Sequence, residues 1–152
     1  LPEISKFTYE IVDPSYAKRA METKEQGNGH AIVGGRNYGQ GSSREHAALA
    51  PRYLGLRAVL AKTFARIHWQ NLINFGVLPL TYQNADDYEQ LERGDVLVLT
   101  DLRQAVKRGT DIAVQVKNKN KTIQAEHALS ARQVELVLAG GLIDWIRGRR
   151  NS

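Results

Sequence analysis

Apolar residues fall in short blocks between polar, glycine-punctuated segments, and the spacing inside the blocks changes along the chain. Asp13-Pro14 reads as a helix start, with Asp as cap and Pro at the first helical position; Tyr16 to Gln26 is a polar surface helix stopped by Gly27-Asn28-Gly29. His30 to Val33 is a short apolar strand, expected to be buried from Ala31 onward. After a glycine-rich loop comes a helix from about Arg44 to Leu54, ended by Gly55, in which Pro51 lacks an N–H and is expected to kink or restart the helix. Arg57 to Thr63 reads as a second buried strand. Phe64 to Phe75 reads as an amphipathic helix with Ile67, Leu72 and Phe75 inward and Gly76 as its stop, and Val77 to Tyr82 as a third strand. Strand–helix–strand–helix–strand predicts a parallel sheet with right-handed crossovers.

Beyond Tyr82 the period shortens. Asp86 to Leu91 is a brief helical turn, and Asp95–Leu99, Ile112–Lys117 and Thr122–Ala125 alternate as antiparallel strands do, with Asn118-Lys119-Asn120 as a hairpin turn. A helix from Ser130 to Ala139, capped by Ser130, breaks at Gly140-Gly141, and a last short helix carries Ile143, Trp145 and Ile146. The expected fold class is α/β: a parallel sheet core plus a smaller antiparallel strand region, in one domain over residues 1–152.

Composition narrows the functions. With 42% hydrophobic and 24% charged residues, the chain reads as globular. No apolar run approaches about 18 residues, so no membrane partner is expected. The chain has no cysteine, which excludes disulfides and thiolate metal ligation within it, and the four histidines lack paired i,i+4 spacing, so no metal site is expected. The net charge of +5 favours anionic partners; its excess gathers in Lys117, Lys119 and Lys121 and in Arg147, Arg149 and Arg150, which read as a solvated hairpin and tail. The chain begins Leu1-Pro2, the expectation being a fragment of a longer chain or a processed product.

The chemistry concentrates in Gly34-Gly35-Arg36-Asn37-Tyr38-Gly39-Gln40-Gly41-Ser42-Ser43-Arg44-Glu45-His46. Four glycines let backbone approach a ligand; two hydroxyls and a guanidinium then arrive at a helix start, where free N–H groups carry partial positive charge. Such a loop is a pocket for a small anion, with Arg44 able to grip a carboxylate at two points. It is not a P-loop, because Gln40 stands where the lysine is required. It is not a dinucleotide fingerprint, because Arg44 replaces the third glycine. Ser42-Ser43-Arg44-Glu45 also fits a capping box, which leaves the glycines, the second serine and the arginine unexplained. A nucleophilic serine would need a base, and His46 sits on a helix that carries it away.

The stretch GRNYGQGSSREHAALAPRYLG, followed by RAVLAKTFARIHWQNLINFGVLPLTY, closely resembles the C-terminal swivelling domain of aconitases. The resemblance is close over Ile4 to Tyr82 and looser to Arg147. It implies a swivelling β/β/α fold, and a role in interconverting citrate and isocitrate through cis-aconitate. By motif match, Ser42 is the catalytic base, and Ser43 and Arg44 hold substrate carboxylates. Asn37, Gly39, Gly41, Glu45 and His46 support the loop. It further implies a [4Fe–4S] cluster bound by other domains and not by this chain, a tricarboxylate substrate, and cluster-bearing domains of the same protein as partners. Arg66, His68 and Asn71 read as structural anchors. The small subunit of isopropylmalate- or homoaconitate-type dehydratases is also similar, though Asn37-Tyr38 and Ala47-Ala48-Leu49 favour aconitase. Some aconitase relatives bind RNA, but aromatics are only 7% and no RNA-recognition motif is present, so RNA is not the expected partner. A cytoplasmic location is expected.

Overall fold

A computed structural model describes residues 13–40 and 45–150 of the chain. Among the described residues six strands form one sheet, ordered β1-β2-β3-β6-β5-β4. Three of them, β1 (His30–Gly34), β2 (Leu56–Ala61) and β3 (Leu78–Tyr82), run parallel. The other three are antiparallel to their neighbours: β6 (Lys121–Glu126) joins β3 through Thr81 and Tyr82, β5 (Asp111–Val116) pairs along the whole of β6, and β4 (Leu97–Val98) closes that edge. Helix α1 (Tyr16–Glu25) precedes β1, α2 (His46–Tyr53) links β1 to β2, and α3 (Arg66–Asn74) links β2 to β3. After these come α4 (Leu102–Arg108), α5 (Ala131–Ala139) and α6 (Leu142–Arg150). The expected α/β class, with its parallel core and antiparallel annex, is the observed one.

The two halves of the sheet read differently in sequence because they are buried differently. From Ala58 to Ala61, β2 is buried on both faces, as parallel strands covered by helices must be. In β5, Ile112, Val114 and Val116 point inward while Asp111, Ala113 and Gln115 face out, which gives strict alternation. Leu60 and Leu80 from the parallel half share one core with Ile112, Val114 and Ile123 from the antiparallel half, so the sheet is a single packing unit. A second cluster of Ala48, Leu56, Val59, Leu72 and Val77 packs beneath α2 and α3.

Several expectations change. The β1 strand is half-exposed, with Val33 at 39%, because it lies at the sheet edge, with β2 its one partner strand among the described residues. Pro51 does not restart α2; the helix runs through it. The third helix begins at Arg66 instead of Phe64, because Phe64 is still paired with Tyr38 in a parallel bridge. Leu72 is buried as expected, but Ile67 is 59% exposed, and His68 and Asn71 turn inward in its stead. Strand β4 keeps only two residues, since the Asp95 carboxylate accepts from Asn118 Nδ2 at 2.8 Å and fastens the hairpin turn. Helix α4 has no counterpart in the expected elements; its seven residues, LRQAVKR, hide only Val106.

The first and last described helices are held by specific contacts. Ser130 and Gln133 form a reciprocal capping box at the start of α5. Between α5 and α6, Gly140 and Gly141 take φ of +95° and +126°, and their backbone presses on Gly76 at the end of α3. A Cβ on Gly76 would lie 2.4 Å from the Gly140 carbonyl, so the contact requires glycine. At the other end, the Tyr16 hydroxyl and His30 Nε2 share a hydrogen bond of 2.6 Å that ties α1 to β1.

Two consequences follow for stability. Leu60 is fully buried where the two sheet halves meet, so Leu60→Ala should destabilise the fold by about 2–5 kcal/mol, read by urea denaturation. Burial, then the nearby Arg57 and Arg19 guanidiniums, lower the His30 pKa from 6.5 to about 4. The unfolded chain therefore takes up the extra proton between those values, so stability is full above about pH 6.5 and falls as pH drops toward 4. Thermal melts from pH 7 to 4 should show this loss, and His30→Phe should flatten it.

Candidate functional site

The glycine-rich loop is built as an extension of the parallel pairing beyond the carboxyl ends of β1 and β2. The Lys62 N–H donates to the Gly35 carbonyl (3.0 Å), the Tyr38 N–H to the Thr63 carbonyl (2.9 Å), and the Ala65 N–H to the Tyr38 carbonyl (2.9 Å). Thr63 Oγ1 accepts from the Asn37 N–H at 2.7 Å. Asn37 then turns at φ +52°, and the Gln40 N–H closes back on its carbonyl at 2.9 Å. In open α/β sheets this end, outside the carboxyl termini of parallel strands, is where ligands bind.

The turn rests on an aromatic platform. The Tyr38 ring lies against Gly34 and meets Phe64 edge-on at 6.0 Å and His68 at 5.3 Å. Gly39, at φ +87°, sits on the His68 ring so closely that a Cβ there would be 2.3 Å from Cγ. Among the natural residues glycine alone meets both conditions. His68 is 2% exposed, and burial holds its imidazole below the ordinary histidine range. Neither ring nitrogen has a hydrogen-bond partner among the described residues, and neither does Asn71 Nδ2 one turn further along α3.

Of the residues singled out from sequence, Asn37 and Gly39 fall in this turn, and Glu45 precedes α2. Gly41, Ser42, Ser43 and Arg44 lie outside the described residues. The His46 backbone opens α2. The capping box drawn over Ser42 and Glu45 lies partly outside the described residues; Glu45 stands at the N-cap of α2, and its side chain makes no capping hydrogen bond. Its carbonyl accepts from the Ala48 and Leu49 N–H groups, so the amino end of α2, with its partial positive charge, follows directly on the serine segment.

Sequence reasoning missed the neighbours on the β3 side. Lys62 Nζ stands 4.6 Å from the Tyr88 ring centroid and 3.8 Å from Glu89 Oε1, tethering the 3-10 turn Ala85–Gln90 beside Gly35. At the end of β3, the buried Tyr82 hydroxyl has its pKa pushed up by desolvation, then by Tyr88 and Asp87, so it stays protonated. Lys62 follows β2 directly, which was the available signal; the Tyr88 contact depends on tertiary structure. A cavity of about 390 Å³ also lies between α4 and the outer face of β5, but none of its lining residues belongs to the loop.

No group of three or more His, Cys, Asp or Glu among the described residues could hold a metal ion, and no described helix is long and apolar enough to cross a membrane.

Comparison with known proteins places this architecture. The profile of the aconitase C-terminal domain matches residues 4–85. The chain is 42% identical over 140 residues to the mitochondrial homocitrate dehydratase of Saccharomyces cerevisiae, covering 87% of this chain and 18% of that protein. It is 38% identical over 152 residues to a probable mitochondrial aconitate hydratase of Dictyostelium discoideum, covering 97% of this chain and 19% of that one. The chain thus spans under a fifth of the length of these relatives. Among solved structures, the 3-isopropylmalate dehydratase of Methanocaldococcus jannaschii superposes with a TM-score of 0.76 at 34% identity, over 98% of this chain and 78% of that one. The expected cytoplasmic location is overturned, because these eukaryotic relatives are named as mitochondrial. With the profile matching more than half its length and the fold agreeing, the chain belongs to the aconitase C-terminal domain family.

Proposed function

We propose that this chain is the swivel domain of a mitochondrial hydro-lyase acting on a hydroxylated tricarboxylate of the citrate–isocitrate kind. The observation that carries this reading is the root of the serine loop: family-matching sequence leaves the carboxyl ends of two parallel strands and runs into the amino end of α2. The names of the relatives, aconitate hydratase and homocitrate dehydratase, support the reaction class.

In this reading Ser42 Oγ, as the oxyanion, removes a proton from the carbon α to a substrate carboxylate. The electron pair left on carbon forms the new C=C bond as the hydroxyl on the adjacent carbon departs. A serine oxyanion is a base only where N–H groups and cations stabilise it, which the start of α2 and Arg44 supply. Ser43 and Arg44 hold carboxylates, so the negative charge that builds as the proton leaves falls where a guanidinium already stands. Glu45 and His46 brace the turn. Departure of the hydroxyl belongs to groups outside this chain. The [4Fe–4S] cluster implied by the resemblance does not fit the residues here, since such clusters are held by cysteine thiolates and this chain has no cysteine. The partner is accordingly a cluster-bearing body that this domain closes upon, excluding water and completing the site.

A second reading is a separate small subunit of an isopropylmalate- or homoaconitate-type dehydratase. It is favoured by the match to 78% of the 3-isopropylmalate dehydratase chain, against under a fifth of the curated relatives.

In the complete enzyme, Ser42→Ala should lower kcat by about 10²–10⁴-fold with little change in KM, the range for losing a general base. Arg44→Gln should raise KM for the tricarboxylate at least about tenfold, as loss of a charge-assisted pair does. The isolated chain should fold, bind no cluster and leave citrate untouched; citrate turnover by the isolated chain would overturn the reading.

A further inference from the structure

The reading above gives no work to the group directly beneath the loop. His68 is almost completely buried, and both its ring nitrogens lack partners among the described residues. A buried donor or acceptor left unmade costs about 1–3 kcal/mol. Packing does not explain the imidazole, since its observed contacts, the Gly39 backbone on the Cβ–Cγ–Cδ2 edge and the Tyr38 ring, would serve a hydrocarbon ring equally. Asn71, three residues on and on the same face of α3, keeps a second buried polar atom without a partner, Nδ2. Two uncompensated polar groups one turn apart on a helix face, the first of them under a turn that glycine alone can form, mark a place where stability has been given up for function.

We infer that His68 is a positioning residue for the reaction: its ring seats the Gly39 turn three residues before Ser42, and one of its nitrogens takes up a hydrogen bond when substrate engages. The inference rests on the hydro-lyase reading. His68 touches no substrate in this scheme; it fixes where the base arrives. Removing its nitrogens while keeping its shape should therefore harm turnover without harming the fold.

The test is His68→Phe in the complete enzyme, with Ser42→Ala as control. The expected result is a kcat at least tenfold lower, a KM within about threefold of the parent, and a melting temperature equal to or above it, because two unpaired polar atoms leave the core. His68→Gln, which keeps a donor and an acceptor, should recover part of the lost kcat. An unchanged kcat in His68→Phe, or a loss that tracks a fall in melting temperature, overturns the inference. Should His68→Phe not fold, imidazole ¹⁵N shifts of the parent enzyme decide, recorded with and without tricarballylate. Movement of one ring nitrogen to a hydrogen-bonded value supports the inference, and two unmoved nitrogens overturn it. If Ser42→Ala keeps full activity, the hydro-lyase reading itself fails; if only the His68 results are negative, that reading stands and the positioning role falls.

Discussion

The pairing of Gly35 and Tyr38 with Lys62, Thr63 and Ala65 is the constraint on which the rest of this molecule depends. It carries the parallel register of β1 and β2 past the point where both strands have ended. Each such hydrogen bond is worth only about 0.5–1.5 kcal/mol net, but together they leave the loop root no freedom to slide. The same backbone bonds delay α3 to Arg66, and the delay brings His68 under Gly39. Loop geometry, helix phase and the buried imidazole are therefore one arrangement.

Behind this root the sheet supplies stiffness of two kinds. Strand β2, to which the loop root is hydrogen-bonded, contributes to both cores, so displacing the root would disturb two packed clusters at once. The antiparallel strands are covered on one face and present Asp111, Gln115 and Gln124 outward. The glycine-rich segment thus leaves from the half-exposed edge strand β1 but is anchored to its buried neighbour β2.

Much of this was legible in the sequence because burial leaves a period. Double burial gave β2 its continuous apolar run, single burial gave β5 and β6 their alternation, and glycines marked most of the helix ends. What stayed hidden depends on neighbours distant in sequence. Strand order is not a local property, so nothing in HAIVG distinguishes an edge strand from a central one. The inner face of α3 was misjudged because Ile67 looks like core, whereas the Tyr38–Phe64 bridge decides where the helix begins. The loop announced itself through its glycines, serines and arginine. Its support did not: His68 and Asn71 stood in the family-matching stretch as plausible anchors, with no local sign that one of them carries Gly39.

The three-glycine contact of Gly76 with Gly140 and Gly141 has a bearing on how the chain assembles. It joins backbone segments more than sixty residues apart in sequence, so it can form only once the chain has been made through Gly141. Docking of the α5–α6 elbow is then a late event, dependent on closing a long loop. During synthesis the parallel half and its loop root are complete in sequence while the terminal helices are still being made, so the glycine turn can take shape before the chain that follows it arrives.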